Sequence, residues 1–194
     1  MELPFLQYFN TWRHIADIKK LAFELGHTAS VLMNVNIVRL YQDALFWKRA
    51  GYGPTPWHTD ARMAPFDTSN MITFWIPLQS IPKRGGTALI FVPKSHCDFA
   101  LPFWNDFETS QEFSRLEERY DDRTVDYMPL SLGDVTVHSG WTLHCADGNA
   151  SETDRLALAI TYVDARAEIR EDCLELQQST KGGGYGDNED QWSY

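Results

Sequence analysis

The segment GPTPWHTD ends on His58 and Asp60, an imidazole and a carboxylate separated by one residue. On an extended chain such a pair projects to one face, where both side chains can reach one cation. By itself the pair is a weak signal, since short polar doublets also end ordinary turns. A third donor would make it a metal site, and the remaining histidines are His14, His27, His96, His138 and His144. His14 and His27 fall in a helical stretch, and His96 follows the turn-like VPKS. That leaves the two in VHSGWTLHCADGNASETDRLALAITYV.

Within that stretch the spacing favours His144. The segment CADGNASETD is dense in turn residues, and Arg155 then opens an apolar run. An antiparallel return would bring Arg155 back beside His144. A buried guanidinium needs an anion, and arginine suits a two-pronged grip on a carboxylate. His138 remains a neighbour behind the site or an alternative donor. Two histidines and one carboxylate form the facial triad of non-haem Fe(II) oxygenases, which leaves positions open for a 2-oxo acid and O2.

These residues must be held by surrounding elements. Trp12, Ile15, Ile18, Ala22 and Leu25 recur at helical intervals and predict a helix over residues 10–33, with Gly26 as a break or cap. Beyond it, NVNIVRLYQDALFWK, MITFWIPL, GGTALIFVP, VDYMPLSLGDVTVHSG and RLALAITYVDA read as strands separated by Gly and Pro turn signals. One helix before many strands predicts a mainly β fold: a double-stranded β-helix, the cupin-like jelly roll, with flanking helices and a core over residues 34–168. SQEFSRLEERY reads as a short helix inside a charged insert. The Gly-rich acidic stretch at 180–194 reads as a flexible tail.

Composition narrows the class. The chain has 194 residues, 43% of them hydrophobic, enough for one domain with a sizeable core. A net charge of −10 disfavours nucleic acid and anionic membranes as partners. Cys97, Cys145 and Cys173 form neither a disulfide framework nor a zinc pattern. With no signal-like N-terminus and no long apolar run, a cytoplasmic location is expected. No oligomeric state is selected.

The sequence resembles the phytanoyl-CoA dioxygenase family of Fe(II)- and 2-oxoglutarate-dependent oxygenases, over roughly residues 5–168. The likeness runs through VRLYQDALFWK, TPWHTD, ITFWIPL, GGTALIFVPKSH and GDVTVHSGWTLHCADGNASETDRLALAITYV. In that family the second metal histidine precedes the 2-oxoglutarate arginine by eleven residues, an interval that His144 and Arg155 keep. The resemblance implies His58, Asp60 and His144 as iron ligands and Arg155 as the co-substrate clamp. It also implies Fe(II), 2-oxoglutarate and O2 as cofactor and co-substrates, and oxidation of a small-molecule substrate. Because Asp60 is present, hydroxylation or a related oxidation is expected rather than halogenation.

Thr73 alternates with Ile72 and Phe74 and is a candidate contact to 2-oxoglutarate. Departures from the family pattern are also present. Ala146 stands where a small hydroxyl residue often helps hold the co-substrate, and Lys48-Arg49-Ala50-Gly51 replaces Lys-Pro-Pro-Gly. Lys48 and Arg62 read as solvated charges or contacts to an acidic substrate. Trp57, Phe46, Trp75 and Trp141 read as core or pocket walls. A cupin-type metalloenzyme that uses no 2-oxo acid, or a binding module without turnover, is the alternative.

Overall fold

In the run RLALAITYVD both alternating sets of residues are largely apolar or small, which requires cover on both faces of the strand. The computed structural model describes residues 4–98 and 120–171. Its strands and helices are, in chain order, β1 (Leu6–Phe9), α1 (Ala16–Met33), β2 (Val38–Lys48), β3 (Thr55–His58), α2 (Asp60–Met63), β4 (Phe66–Asp67), β5 (Met71–Pro77), β6 (Leu89–Phe91), β7 (Thr136–Ser139), β8 (His144–Ala146), β9 (Arg155–Asp164) and β10 (Glu168–Ile169). The doubly buried run is β9, at the centre of a five-stranded sheet ordered β1-β2-β9-β5-β7. A three-stranded sheet, β3-β8-β6, faces it, and β4 pairs with β10. Neighbouring strands in all three sheets run antiparallel. The architecture is a mainly β jelly roll of the cupin type, as the strand pattern predicts.

The two faces of β9 have different covers. Leu158, Ile160 and Tyr162 join Ile72 and Phe74 of β5 against Ala22 and Ala29 of α1, with Ile18, Leu21 and Leu25 packed around them. The Tyr162 hydroxyl donates to the Ala22 carbonyl, anchoring the helix to the sheet. On the other face, Ala157 and Ala159 pack with Trp75, Leu89, Phe91 and Ala146, filling the space between the two sheets. Arg155, Thr161 and Val163 share this inward parity. Across β2 the register pairs Phe46 with Ala157 and Lys48 with Arg155, so those residues face inward too.

Element boundaries differ from expectation in instructive places. The helix begins at Ala16 after a 3-10 turn over Thr11–Arg13, rather than at residue 10. The buried Asp43 carboxylate accepts hydrogen bonds from the Thr11 and Trp12 amides and the Thr11 hydroxyl, and so fixes that turn. Gly26 neither breaks nor caps α1. The helix ends at Asn34, which adopts the left-handed conformation at φ 54°. Between residues 125 and 140 the expected strand shrinks to β7, and only isolated bridges at Val125 and Leu130 precede it. The helix expected in SQEFSRLEERY and the tail expected at 180–194 lie outside the described residues, apart from Tyr120. No helix among the described residues is long and apolar enough to cross a membrane.

Candidate metal centre

His58 is the last residue of β3, Asp60 the first of α2, and His144 opens β8. Because β3 and β8 are paired, His58 stands opposite His144, with the ring centroids 4.2 Å apart. Asp60 enters from the turn after β3. One ligand atom from each of the three residues lies within 4.8 Å of the others. The Asp60 Oδ1 atom faces both rings, 3.8 Å from His58 Nε2 and 3.6 Å from His144 Nε2.

The remaining polar atoms are committed in a way that leaves these three free. His58 Nδ1 lies 2.8 Å from the Pro56 carbonyl oxygen, and His144 Nδ1 lies 2.9 Å from that of Thr142. A carbonyl can only accept, so each Nδ1 carries a proton, and in the neutral ring Nε2 is then the nitrogen that keeps a lone pair. On Asp60, the Thr73 hydroxyl donates to Oδ2 at 2.9 Å, and His138 Nε2 lies 3.1 Å from the same oxygen. The carboxylate is thus held by one oxygen while it offers the other.

The electrostatics suit a divalent cation. Burial alone would raise the Asp60 carboxyl. The electrostatic pull of His144, the hydrogen bond and pull of His138, and the pull of His58 outweigh burial and hold it well below the usual carboxylate range. For His144 burial dominates; with His138 and His58 it offsets the pull of Asp60 and brings the imidazole down to about 3. An ionised carboxylate beside a neutral imidazole is the protonation state that binds metal. Two imidazoles and one carboxylate fit Fe(II), with neither thiolate nor a fourth protein donor in the cluster among the described residues.

Beside the cluster is a cavity of about 330 Å³, lined by His58, Asp60 and Thr73 together with apolar surface from Phe46, Met63, Met71 and Ala159. Arg155 lies further inward on β9. Its guanidinium sits 5.3 Å from the centre of the Trp75 ring, and its buried Nε has no hydrogen-bond partner.

The chain connects His144 to Arg155 by a different route from the one the sequence suggests. They do not form an antiparallel return. β8 belongs to the small sheet and β9 to the large one, so the chain crosses the sandwich between them. Asn149 secures this crossing, its side-chain amide donating to the carbonyls of Lys48 and Thr153.

Thr73 lines the cavity, but its hydroxyl proton goes to Asp60, and Thr161 lies 3.1 Å away from the same oxygen. Phe46 is the one expected wall residue of the four that lines this cavity. Trp57 packs instead with Val92, Tyr120 and Leu143 in a separate cluster, Trp75 is core, and the half-buried Trp141 packs against Ala61, Ala64, Met71 and Val163. Ala146 is buried without a hydroxyl to offer. Lys48, expected in solvent or against an acidic substrate group, is fully buried. Its signal was present in the sequence: it stands at the end of the alternating set Gln42, Ala44, Phe46 and Lys48.

The phytanoyl-CoA dioxygenase profile matches residues 10–157. The chain is 27% identical over 193 residues to a probable alpha-ketoglutarate-dependent hypophosphite dioxygenase of Stutzerimonas stutzeri, covering 97% of this chain and 62% of that relative. It therefore spans less than two thirds of the length of that protein. Among solved structures, the alpha-ketoglutarate-dependent carbocyclase SnoK from nogalamycin biosynthesis superposes with a TM-score of 0.75 at 23% identity, over 91% of this chain and 71% of that one. The epimerase SnoN, in complex with Fe3+, alpha-ketoglutarate and nogalamycin RO, gives 0.69 at 24% identity over 94% and 72%.

Proposed function

The chain belongs to the phytanoyl-CoA dioxygenase family, and on that premise we propose that it is an Fe(II)- and 2-oxoglutarate-dependent dioxygenase that oxidises a small organic molecule. The observation that carries this reading is the division of labour on Asp60. One oxygen is fixed by Thr73 and His138, and the other faces two imidazole nitrogens whose opposite ring positions are tied to backbone carbonyls.

His58, Asp60 and His144 would hold the iron, and Arg155 would pair with the distal carboxylate of 2-oxoglutarate. When bound, iron with the 2-oxo acid and O2 supplies oxidising power against a C–H bond, with succinate and CO2 as co-products. The protein's own work is placement and shielding. The Nδ1 contacts fix the two ring planes, and Thr73 and His138 stop the carboxylate from rotating. Phe46, Met63 and Met71 surround the approach with apolar surface that excludes water and suits a substrate with hydrocarbon character. The cavity, about 330 Å³, suits a small substrate. A reducing compartment such as the cytoplasm suits the three cysteines, whose number and spacing form no disulfide framework.

The test is co-product formation. Purified protein with Fe(II), 2-oxoglutarate and O2 should release succinate, faster when a substrate is present. Oxidation of a substrate with 2-oxoglutarate left untouched would point instead to a cupin-type metalloenzyme that needs no 2-oxo acid.

A further inference from the structure

The cavity beside the metal cluster has a wall with no part in holding a cation. On β1 the register sets Gln7 opposite Phe46 and Phe9 opposite Ala44 of β2. Phe46 and Ala44 face inward, so Gln7 and Phe9 face inward with them. Both line the cavity, as does Phe5 just before the strand. The Phe5 ring meets that of Phe46 edge to face, with centroids 5.0 Å apart. Ala44 pairs with Ala159 of β9, and both are buried. Two such small side chains on one rung leave room at the centre of this wall. Phe9 and Met63 are each more than half exposed and mark the cavity's mouth.

The polarity of the lining narrows what can enter. Among the described residues no lysine or arginine lines the cavity, and Asp60, committed to the metal cluster, is its one carboxylate. With Asp60 and a 2-oxo dianion beside it, the charge of an iron ion is already offset. An ionic substrate group would therefore leave water here without a counter-ion, which is strongly disfavoured. The wall offers a carboxamide instead. The Gln7 side chain is half-buried and makes no hydrogen bond among the described residues. A carboxamide both donates and accepts, so it matches a neutral polar group of either kind. A molecule that expelled water but brought no such group would leave it unpaired. The phenyl rings on either side of it suit an aromatic or aliphatic body.

We propose that the inward face of β1 reads the substrate and selects an uncharged molecule, with an aromatic or aliphatic body against Phe5 and Phe9 and a carboxamide, hydroxyl or carbonyl group at Gln7. This rests on the oxygenase reading above and names the substrate class of that site.

The experiment uses the full chain loaded with Mn(II), which gives no turnover, and saturated with 2-oxoglutarate. Relaxation of ligand protons is followed by NMR, with the Zn(II)-loaded protein as diamagnetic reference. The probes are 3-phenylpropanamide and 3-phenylpropanoate, which share one body and differ in charge. In the wild type the amide should show metal-dependent relaxation and bind at least tenfold more tightly than the carboxylate. Q7L should weaken the amide at least fivefold. Q7K puts a cation on the wall and should reverse the preference, a gain that a purely structural glutamine does not produce. If Q7K fails to fold, Q7E and 3-phenylpropylammonium make the same comparison with the charges exchanged. A carboxylate bound as tightly as the amide, no metal-dependent relaxation of either, or an unaltered preference in Q7K would overturn the proposal and leave the oxygenase reading standing. Failure of 2-oxoglutarate itself to relax in the Mn(II)-loaded protein would bring down the reading beneath it.

Discussion

Asp60 shows how one carboxylate can serve two masters. Its Oδ2 accepts from Thr73 and meets His138, while its Oδ1 faces His58 and His144. Asp60→Ala should abolish turnover, measured as succinate release, because the charge that offsets the cation is gone. Thr73→Val keeps the shape and removes one anchor. It should weaken metal affinity on the order of 10–100-fold, the usual cost of losing an outer partner of a ligand, as read by metal titration. Arg155→Ala leaves the metal cluster untouched and should raise the 2-oxoglutarate concentration needed for half-maximal rate by roughly 30-fold or more, in line with about 2–5 kcal/mol for a truncated charge pair.

Acid stability can also be argued at this scale. His144 is held neutral in the fold down to about 3, whereas an unfolded histidine takes up its proton near ~6.5. Between those values the unfolded chain binds more protons, so stability of the metal-free protein should fall as pH drops from about 6.5 towards 3. Asp60, depressed in the fold, adds a loss of the same sign below ~4, the unfolded carboxylate range. Urea midpoints across that range check this, and His144→Gln should flatten the upper part of the slope.

At the scale of elements, the site depends on how closely α2 approaches β7. The Ala61 amide donates to the Gly140 carbonyl, and the Gly140 amide donates to that of Met71. A Cβ at Gly140 would lie 3.0 Å from both Ala61 and Met71 side chains. Gly140→Val should therefore push Asp60 away from the two histidines and cost metal affinity even where the fold survives, as a metal titration beside a circular dichroism spectrum would show. On the far side of β9, Ile160 is fully buried against α1. Ile160→Ala should destabilise by about 2–5 kcal/mol with little effect on metal binding.

The elements also show what the sequence could and could not convey. β5 and β9 were legible because each is a long β-branched and aromatic run with clear ends. The helix was legible by its period, but its start was not. Asp43, far along the chain, ties down the Thr11–Arg13 turn through long-range contacts that no local pattern records. β3 and β8 were hidden because they are short and carry polar ligands in place of alternating hydrophobics. The charge of Lys48 suggests solvent or an acidic substrate group, whereas its parity with Phe46 points inward.

At the scale of the whole molecule, a sandwich of two sheets places the donors and the inner cations on opposite walls. His58 and His144 come from the small sheet; Arg155 and Lys48 come from the large one. The eleven residues from His144 to Arg155 therefore carry the chain from one sheet to the other. That interval was visible in the sequence; the change of sheet was not, since a turn-rich crossing and a hairpin have similar composition. The most direct test of the central claim is anaerobic addition of 2-oxoglutarate to the Fe(II)-loaded protein, followed by visible absorption. A metal-to-ligand charge-transfer band should appear and saturate at one equivalent of iron; iron bound with no such band at saturating 2-oxoglutarate would rule out the proposed co-substrate site.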